Sequence, residues 1–328
     1  MFLVLLKFII AALFIVLAGT FLTKFSDKIA EHTGWGRMFV GGILLAGATS
    51  LPELMVDVKS IQLNLPDLAA GDLLGSSLFN LLILATLDFA FPSDFRRTAF
   101  SPIFLHHSLA AVLSILLTAI VGIGIISNFS YSILGASIFC WAVLGAYLFG
   151  LRLIYLESNS SDHSIDKPTI NRRPLIKAIS GYTASAVVIL LSAPHLVHAA
   201  DELSKVSGIG HTFIGTVLIA LTTSLPELVA TFTAFKVGKP DLALGNIFGS
   251  NAFNMILFLP LDFFYPQILF SSIRSVHAVS AFAIVAVTSV AVMGQLYRKK
   301  ERSRFSEPSS EVVLILIIIL LFLLYKLM

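Results

Sequence analysis

The chain is 328 residues long, 57% apolar and only 12% charged, with a mean hydropathy of +0.92. Soluble domains carry about a quarter charged residues, so this balance excludes one and makes the chain an integral membrane protein. A net charge of +3 that follows the membrane faces leaves no basic patch for nucleic acid, and a single cysteine, Cys140, excludes intrachain disulfides and thiolate metal clusters.

Ten apolar runs could cross about 30 Å of hydrocarbon, at residues 2–22, 38–62, 68–90, 102–126, 130–151, 176–199, 211–236, 241–263, 272–294 and 312–327. The first reads as a helix and not as a cleaved leader. Its apolar stretch is long for a signal peptide, and it precedes the first repeat described below as 176–199 precedes the second. The sizeable polar stretch Glu157 to Arg173 reads as a flexible cytoplasmic linker, so the expected halves are 1–151 and 176–328, joined by 152–175. With both termini outside, 17 Lys and Arg residues face the cytoplasm, Arg37 and Lys236 among them, and 5 face outward: Lys7, Lys59, Lys205, Arg274 and Lys326. That is the positive-inside bias of a protein of the plasma or inner membrane.

The stretch Asp27 to Asp88 recurs without a gap as Asp201 to Asp262, and 24 of the 62 aligned pairs are identical. Thr49-Ser50-Leu51-Pro52-Glu53-Leu54 returns as Thr223-Ser224-Leu225-Pro226-Glu227-Leu228, and the run Gly71 to Asn80 is echoed by Gly245 to Asn254. Five segments per half is an odd number, so the second copy enters the membrane from the opposite side. The expected fold is thus an all-α membrane protein of ten transmembrane helices in two inverted-topology five-helix repeats. Such repeats place a shared site near the midplane, as secondary transporters do.

The repeated residues suit that role. A proline inside a helix frees the carbonyl four residues earlier, here that of Ala48 for Pro52 and of Thr222 for Pro226. Thr49, Ser50 and Glu53, with Thr223, Ser224 and Glu227, add hydroxyl and carboxylate oxygens in the same turns. Asp72, Ser76 and Asn80, and likewise Asn246, Ser250 and Asn254, are spaced by four and share a helix face. The glycines Gly71, Gly75, Gly245 and Gly249 would let those helices approach their neighbours. An all-oxygen set without Cys or His fits a hard cation such as calcium. Ser, Thr and Asn alone often do no more than join helices, but a buried glutamate costs about 2.5 kcal/mol or more, and two of them in duplicated proline turns call for a cation.

These motifs, from 46 to 80 and from 220 to 254, resemble the two alpha-repeats of the sodium/calcium exchanger family within the cation/calcium antiporters. The resemblance implies an antiporter that exchanges calcium for sodium by alternating access, with Glu53 and Glu227 as central ligands of both ions. It implies that Thr49 and Thr223 add oxygens for calcium. Ser50, Ser76, Ser224 and Ser250 would line sodium sites with the backbone carbonyls of Ala46 and Ala220, and Asn80 and Asn254 would complete the centre. It further implies that the first and sixth segments slide as a gating pair and that calcium and sodium are transported ions and not cofactors, and it implies no obligate protein partner. Ala48 and Thr222 stand where members usually have glycine, and Asn254 where some have aspartate.

Proton coupling on the same scaffold is the alternative, since paired glutamates can take up protons in place of sodium; the Ser-Leu-Pro-Glu sequence of both copies favours sodium. An intramembrane hydrolase is not expected, because the repeats lack a Gly-x-Ser-x-Gly element and a histidine beside their serines. Asp57, with Thr231 at its matched position, breaks the symmetry and reads either as a cation vestibule or as a paired interfacial carboxylate. The recurring aspartates Asp27, Asp67, Asp88, Asp201, Asp241 and Asp262 read as helix-end caps. His195 and His198 read as packed and hydrogen-bonded, with proton sensing as the other reading.

Overall fold

The computed structural model describes residues 2–90, 108–127, 131–160, 172–206, 222–296 and 310–327. The first repeat half holds α1 (Phe2–Thr33), α2 (Arg37–Val40), a π-helical turn (Gly41–Leu45), α3 (Ala46–Thr49), α4 (Leu51–Gln62), α5 (Pro66–Ala90), α6 (Ser108–Ser127) and α7 (Ile138–Ser160). The second holds α8 (Arg172–Val206), α9 (Leu225–Lys236), α10 (Pro240–Phe264), α11 (Leu269–Ser272), α12 (Val276–Leu296) and α13 (Ser310–Leu327). A short hairpin, β1 (Ser132–Ile133) and β2 (Ala136–Ser137), precedes α7. Leu134 and Gly135 give it a turn with two positive φ angles, of 51° and 86°, which the twist of a two-residue hairpin favours.

Among the described residues, seven helices are long and apolar enough to span a membrane, and the bent pair Arg37–Thr49 with Leu51–Gln62 makes an eighth. Glu311–Leu324 is a shorter apolar helix. The seventh expected segment, 211–236, is described only in part, as α9, so the full count of ten lies beyond the described residues. The centre of the linker, residues 161–171, and the basic run 297–304 also lie outside them.

Both repeats turn the corner between their second and third spans in the same way. Leu65 N donates to Ser60 O at 2.9 Å, and the matched Lys239 N donates to Ala234 O at 2.9 Å. These are six-to-one bonds that close a helix when the intervening residue is left-handed. Asn64 takes that conformation at φ 59° and Gly238 at φ 72°. Pro66 and Pro240 then open α5 and α10, where a missing N–H costs nothing.

The matched helices α5 and α10 form the centre of the bundle, 72% and 83% of their spans being buried. They run in opposite directions. The start of α10 packs on α2 and the π-turn, whereas its end, at Pro260 and Phe264, borders the same cavity as the start of α5 at Asp67 and Leu68. This is the inversion expected from the odd number of segments per half. Lys59 and Arg274, both assigned outward by charge, line that cavity together.

By contrast α1 and α8 lie at the periphery, with 22% and 17% of their spans buried. They pack chiefly on one another, in part through a small apolar core of Ala11, Ile15, Ala193 and Leu196, while Ala18, Leu22, Ala30 and Ile189 join the main core. Polar bonds also tie the pair inward: Thr23 Oγ1 donates to Ala230 O at 3.4 Å, the Tyr182 hydroxyl to Leu44 O at 2.6 Å, and Arg37 Nε of α2 to Asp27 Oδ1 of α1 at 2.6 Å.

The recurring aspartates are structural where their side chains are described and their partners known. Asp27 pairs with Arg37 at 2.6 Å, Asp67 with Arg274 at 3.0 Å, and Asp262 accepts from Leu269 N at 2.7 Å and from Ser137 N. Cys140 is buried against Phe258 and Asp262, as a packing residue. His195 and His198 depart from their expected burial: both are exposed on α8, His198 lying 3.6 Å from Glu202. Three-residue spacing in an apolar helix says that two side chains share a face, but not whether that face meets protein.

Candidate ion-binding centre

Each repeat has a helix break at its Thr-Ser pair. The backbone of Ser50 sits at φ −85°, ψ 8° and that of Ser224 at φ −82°, ψ 8°, so the two breaks are nearly superposable. In the first repeat the break bends the span by 45°. The prolines were expected within the helices, interrupting them by freeing the carbonyls of Ala48 and Thr222. Instead Pro52 and Pro226 stand in the first turn of α4 and α9, positions that have no helical hydrogen bond to lose. Glu53 and Glu227 therefore also lie in the first turn of a half-helix, where the positive end of the helix dipole favours an anion.

The break is held by close backbone packing. A β-carbon on Gly249 would come within 2.4 Å of Gly42 Cα, and one on Gly245 within 2.7 Å of Met38 O. Only glycine allows α10 to approach the π-turn so nearly. The expected counterparts Gly71 and Gly75 behave differently: Gly71 faces His277 at 3.4 Å, and Gly75 has no close neighbour among the described residues. The segment matched to the π-turn, residues 215–219, lies outside the described residues.

Of the twelve candidate residues all but Ala220 are described, and those eleven are buried, none more than 1% exposed. Glu53, Glu227, Thr49, Thr223, Ser50, Ser224, Ser76, Ser250, Asn80 and Asn254 come from α3, α4, α5, α9 and α10 and the turns between them. Contacts cross between the repeats. Ser50 Oγ donates to Glu227 Oε1 at 3.2 Å, and Thr49 Oγ1 lies 3.3 Å from Asn246 Oδ1 and 3.5 Å from Ser250 Oγ. Glu53 feels the negative charge of Glu227 and, more weakly, of Asp72 and Asp57.

Among the described residues, six buried oxygens of this set have no hydrogen-bond partner: Glu53 Oε2, Glu227 Oε2, Ser76 Oγ, Ser224 Oγ, Asn80 Oδ1 and Asn254 Oδ1. Buried polar atoms are normally paired, so an orphaned set drawn equally from both repeats marks a place where something other than protein is bound. Both asparagines spend their amide groups on protein and keep their oxygens free. Asn80 Nδ2 donates to Asn251 Oδ1 at 2.9 Å, and Asn254 Nδ2 to Ser77 Oγ at 3.3 Å. Ala46 is less available than the resemblance implies, because its carbonyl already accepts from Ser50 N at 3.0 Å and from Thr49 Oγ1 at 3.1 Å.

Ser77 and Asn251 were not singled out from sequence, yet they hold the two asparagines in place. The available signal was their position: they are a matched, unlike pair inside an otherwise repeated motif.

The model of the sodium/calcium exchanger protein family matches residues 3–154 and 177–328. The sodium/calcium exchanger MaX1 of Methanosarcina acetivorans is 42% identical over 91 residues, 27% of this chain and 26% of that protein. The vacuolar cation/proton exchanger 1c of Oryza sativa subsp. japonica is 26% identical over 259 residues, 72% of this chain and 57% of that one. Among solved structures, the sodium-calcium exchanger NCX_Mj soaked with 10 mM Na+ and no Ca2+ has the same fold, with a TM-score of 0.72 and 20% identity over 98% of this chain and 99% of that one.

Proposed function

Since the chain belongs to the sodium/calcium exchanger family, we propose that it is a secondary antiporter that exchanges calcium for sodium across a cell membrane by alternating access. The observation that carries this reading is the set of six unpartnered buried oxygens around Glu53 and Glu227. Carboxylate, hydroxyl and amide oxygens without nitrogen or sulfur suit hard cations. Two anions held close in low dielectric repel one another unless one divalent or several monovalent cations neutralise them. Calcium and sodium then compete for the same charges, and neither can leave without replacement; this mutual exclusion is what couples their movements.

In this reading Glu53 and Glu227 bind both ions, Thr49, Thr223, Asn80 and Asn254 complete the calcium centre, and Ser50, Ser76, Ser224 and Ser250 flank it for sodium with the carbonyls of Ala46 and Ala220. Access would alternate as the peripheral pair α1 and α8 slides past the broken helices. Their peripheral place and close packing on one another support a pair that moves as a unit.

A second reading, exchange of calcium for protons on the same scaffold, draws on the likeness to the rice cation/proton exchanger. Proteoliposomes separate the two. Calcium uptake driven by an outward sodium gradient, and absent with a pH gradient alone, is the expected result; uptake driven by a pH gradient in sodium-free buffer would replace sodium with protons.

A further inference from the structure

Thr231 and Asn246 occupy in the second repeat the positions that Asp57 and Asp72 hold in the first, and the two corners are built alike, between the second half of the broken span and the start of the next helix. In the second repeat this corner is neutral and satisfied. Asn246 Nδ2 donates to Thr231 Oγ1 at 3.0 Å, and both residues are 0% exposed.

In the first repeat the same corner holds two acids, near enough for their charges to act on one another. Asp57 is 0% exposed and Asp72 9%. An ionised pair offers no donor, and among the described residues both oxygens of Asp57 and Oδ2 of Asp72 are without a partner. Among the described residues no lysine, arginine or histidine forms an ion pair with either: Arg274 and His277 are directed to Asp67 instead. Two buried anions placed together without a counter-charge are strongly unfavourable. The second repeat shows that the fold does not require them there.

A cavity of about 1560 Å³ reaches this corner at Gly71 and Asp72, bordered farther out by Lys59, Asp67, Arg274 and His277. Asp57 lies one helical turn beyond Glu53, and Asp72 one turn before Ser76, so the pair lies between the cavity and the Glu53–Glu227 centre.

We propose that Asp57 and Asp72 together bind a second divalent cation of the calcium type, in line with the central site and on its cavity side. Two carboxylates match the charge of one divalent ion, their oxygens match its hardness, and water from the cavity can complete six to eight ligands. The repeats are thus symmetric at the centre and asymmetric at the approach, and only the first repeat offers the arriving ion a waiting position. The inference rests on the exchanger reading only for the path the ion takes.

Equilibrium binding of radioactive calcium to the full-length protein in detergent tests it. The wild type is expected to bind two calcium ions per chain, and the double variant Asp57→Thr/Asp72→Asn, which copies the satisfied pair of the second repeat and so should fold, is expected to bind one. Glu53→Gln/Glu227→Gln is expected to keep one ion at the outer pair. If Asp57→Thr/Asp72→Asn binds as many ions as the wild type, or if the wild type binds a single ion that only the glutamate variants remove, the outer site is overturned while the centre stands. Loss of one ion in the aspartate variant with none lost in the glutamate variant would instead overturn the centre and leave the outer site in place. A wild type with one ion, whose pH dependence alone changes in the aspartate variant, would assign a proton to the pair and overturn the proposal.

Discussion

Asn251 donates from its Nδ2 to the carbonyl of Ser77 at 3.1 Å, so each residue bonds to its own counterpart, 174 positions away in the other repeat. Such a bond places both on the pseudo-twofold axis of the inverted repeats. The flanking bonds obey the same symmetry: Asn80 to Asn251 is mirrored by Asn254 to Ser77. This small network fixes which way the two asparagine amides turn, and hence that their oxygens face the centre.

Replacing Asn251 by alanine should therefore cost more than its volume. It strands the Nδ2 of Asn80, which costs about 1–3 kcal/mol when buried and unpaired, while the Ser77 carbonyl keeps its bond within α5. Ser77→Ala should cost less, because Asn254 Nδ2 retains Leu73 O at 3.4 Å. Thermal unfolding in detergent should rank wild type above Ser77→Ala above Asn251→Ala; the reverse order would remove the network from its structural role.

Glu53→Gln and Glu227→Gln keep shape while removing charge. Each should reduce gradient-driven calcium exchange to background in proteoliposomes and leave the protein folded by size-exclusion chromatography. Normal exchange by either variant would detach the carboxylates from transport.

Gly249→Ala sets a methyl group 2.4 Å from Gly42 Cα, where backbone must yield. Overpacking of this kind costs about 1–3 kcal/mol and here would also displace the π-turn beside the site. Gly145, in the lipid-facing side of α7 with nothing within 4 Å of an added methyl, is the control. Gly145→Ala should match or exceed wild-type thermal stability, since alanine favours a helix by about 1 kcal/mol over glycine.

Tyr182→Phe removes the bond from α8 to Leu44 O in the π-turn, worth about 1 kcal/mol. If α8 moves against the broken helix, the bond must be remade in each cycle, and its loss should change the maximal rate of calcium uptake with little effect on apparent calcium affinity. A change confined to affinity would place Tyr182 in the site's shape and not in its gating.

Much of the architecture was legible because the chain states it twice. The recurrence of Thr49 to Leu54 and Gly71 to Asn80 located both broken spans, the four site-bearing helices and the two glutamates, and counting segments foretold the inversion. Less legible were the π-turn and the true place of the break. Gly41 and Gly42 carry no motif of their own, and their role appears only once Gly245 and Gly249 are seen against them. The exposed His195 and His198 were misjudged for a related reason, since lipid and protein are equally apolar surroundings to a sequence pattern.

By itself, then, the sequence determined the membrane setting, the repeat and the residue types of the site, because hydropathy and helical spacing are local properties of the chain. Tertiary structure alone decided which oxygens are used up by neighbours and which are left over, that Asp57 and Asp72 stand where Thr231 and Asn246 satisfy one another, and that α1 and α8 pair at the periphery of the bundle. Spacing along a helix states which side a group is on; only the crossing of helices determines what it meets there, and a bound ion depends on the oxygens that remain.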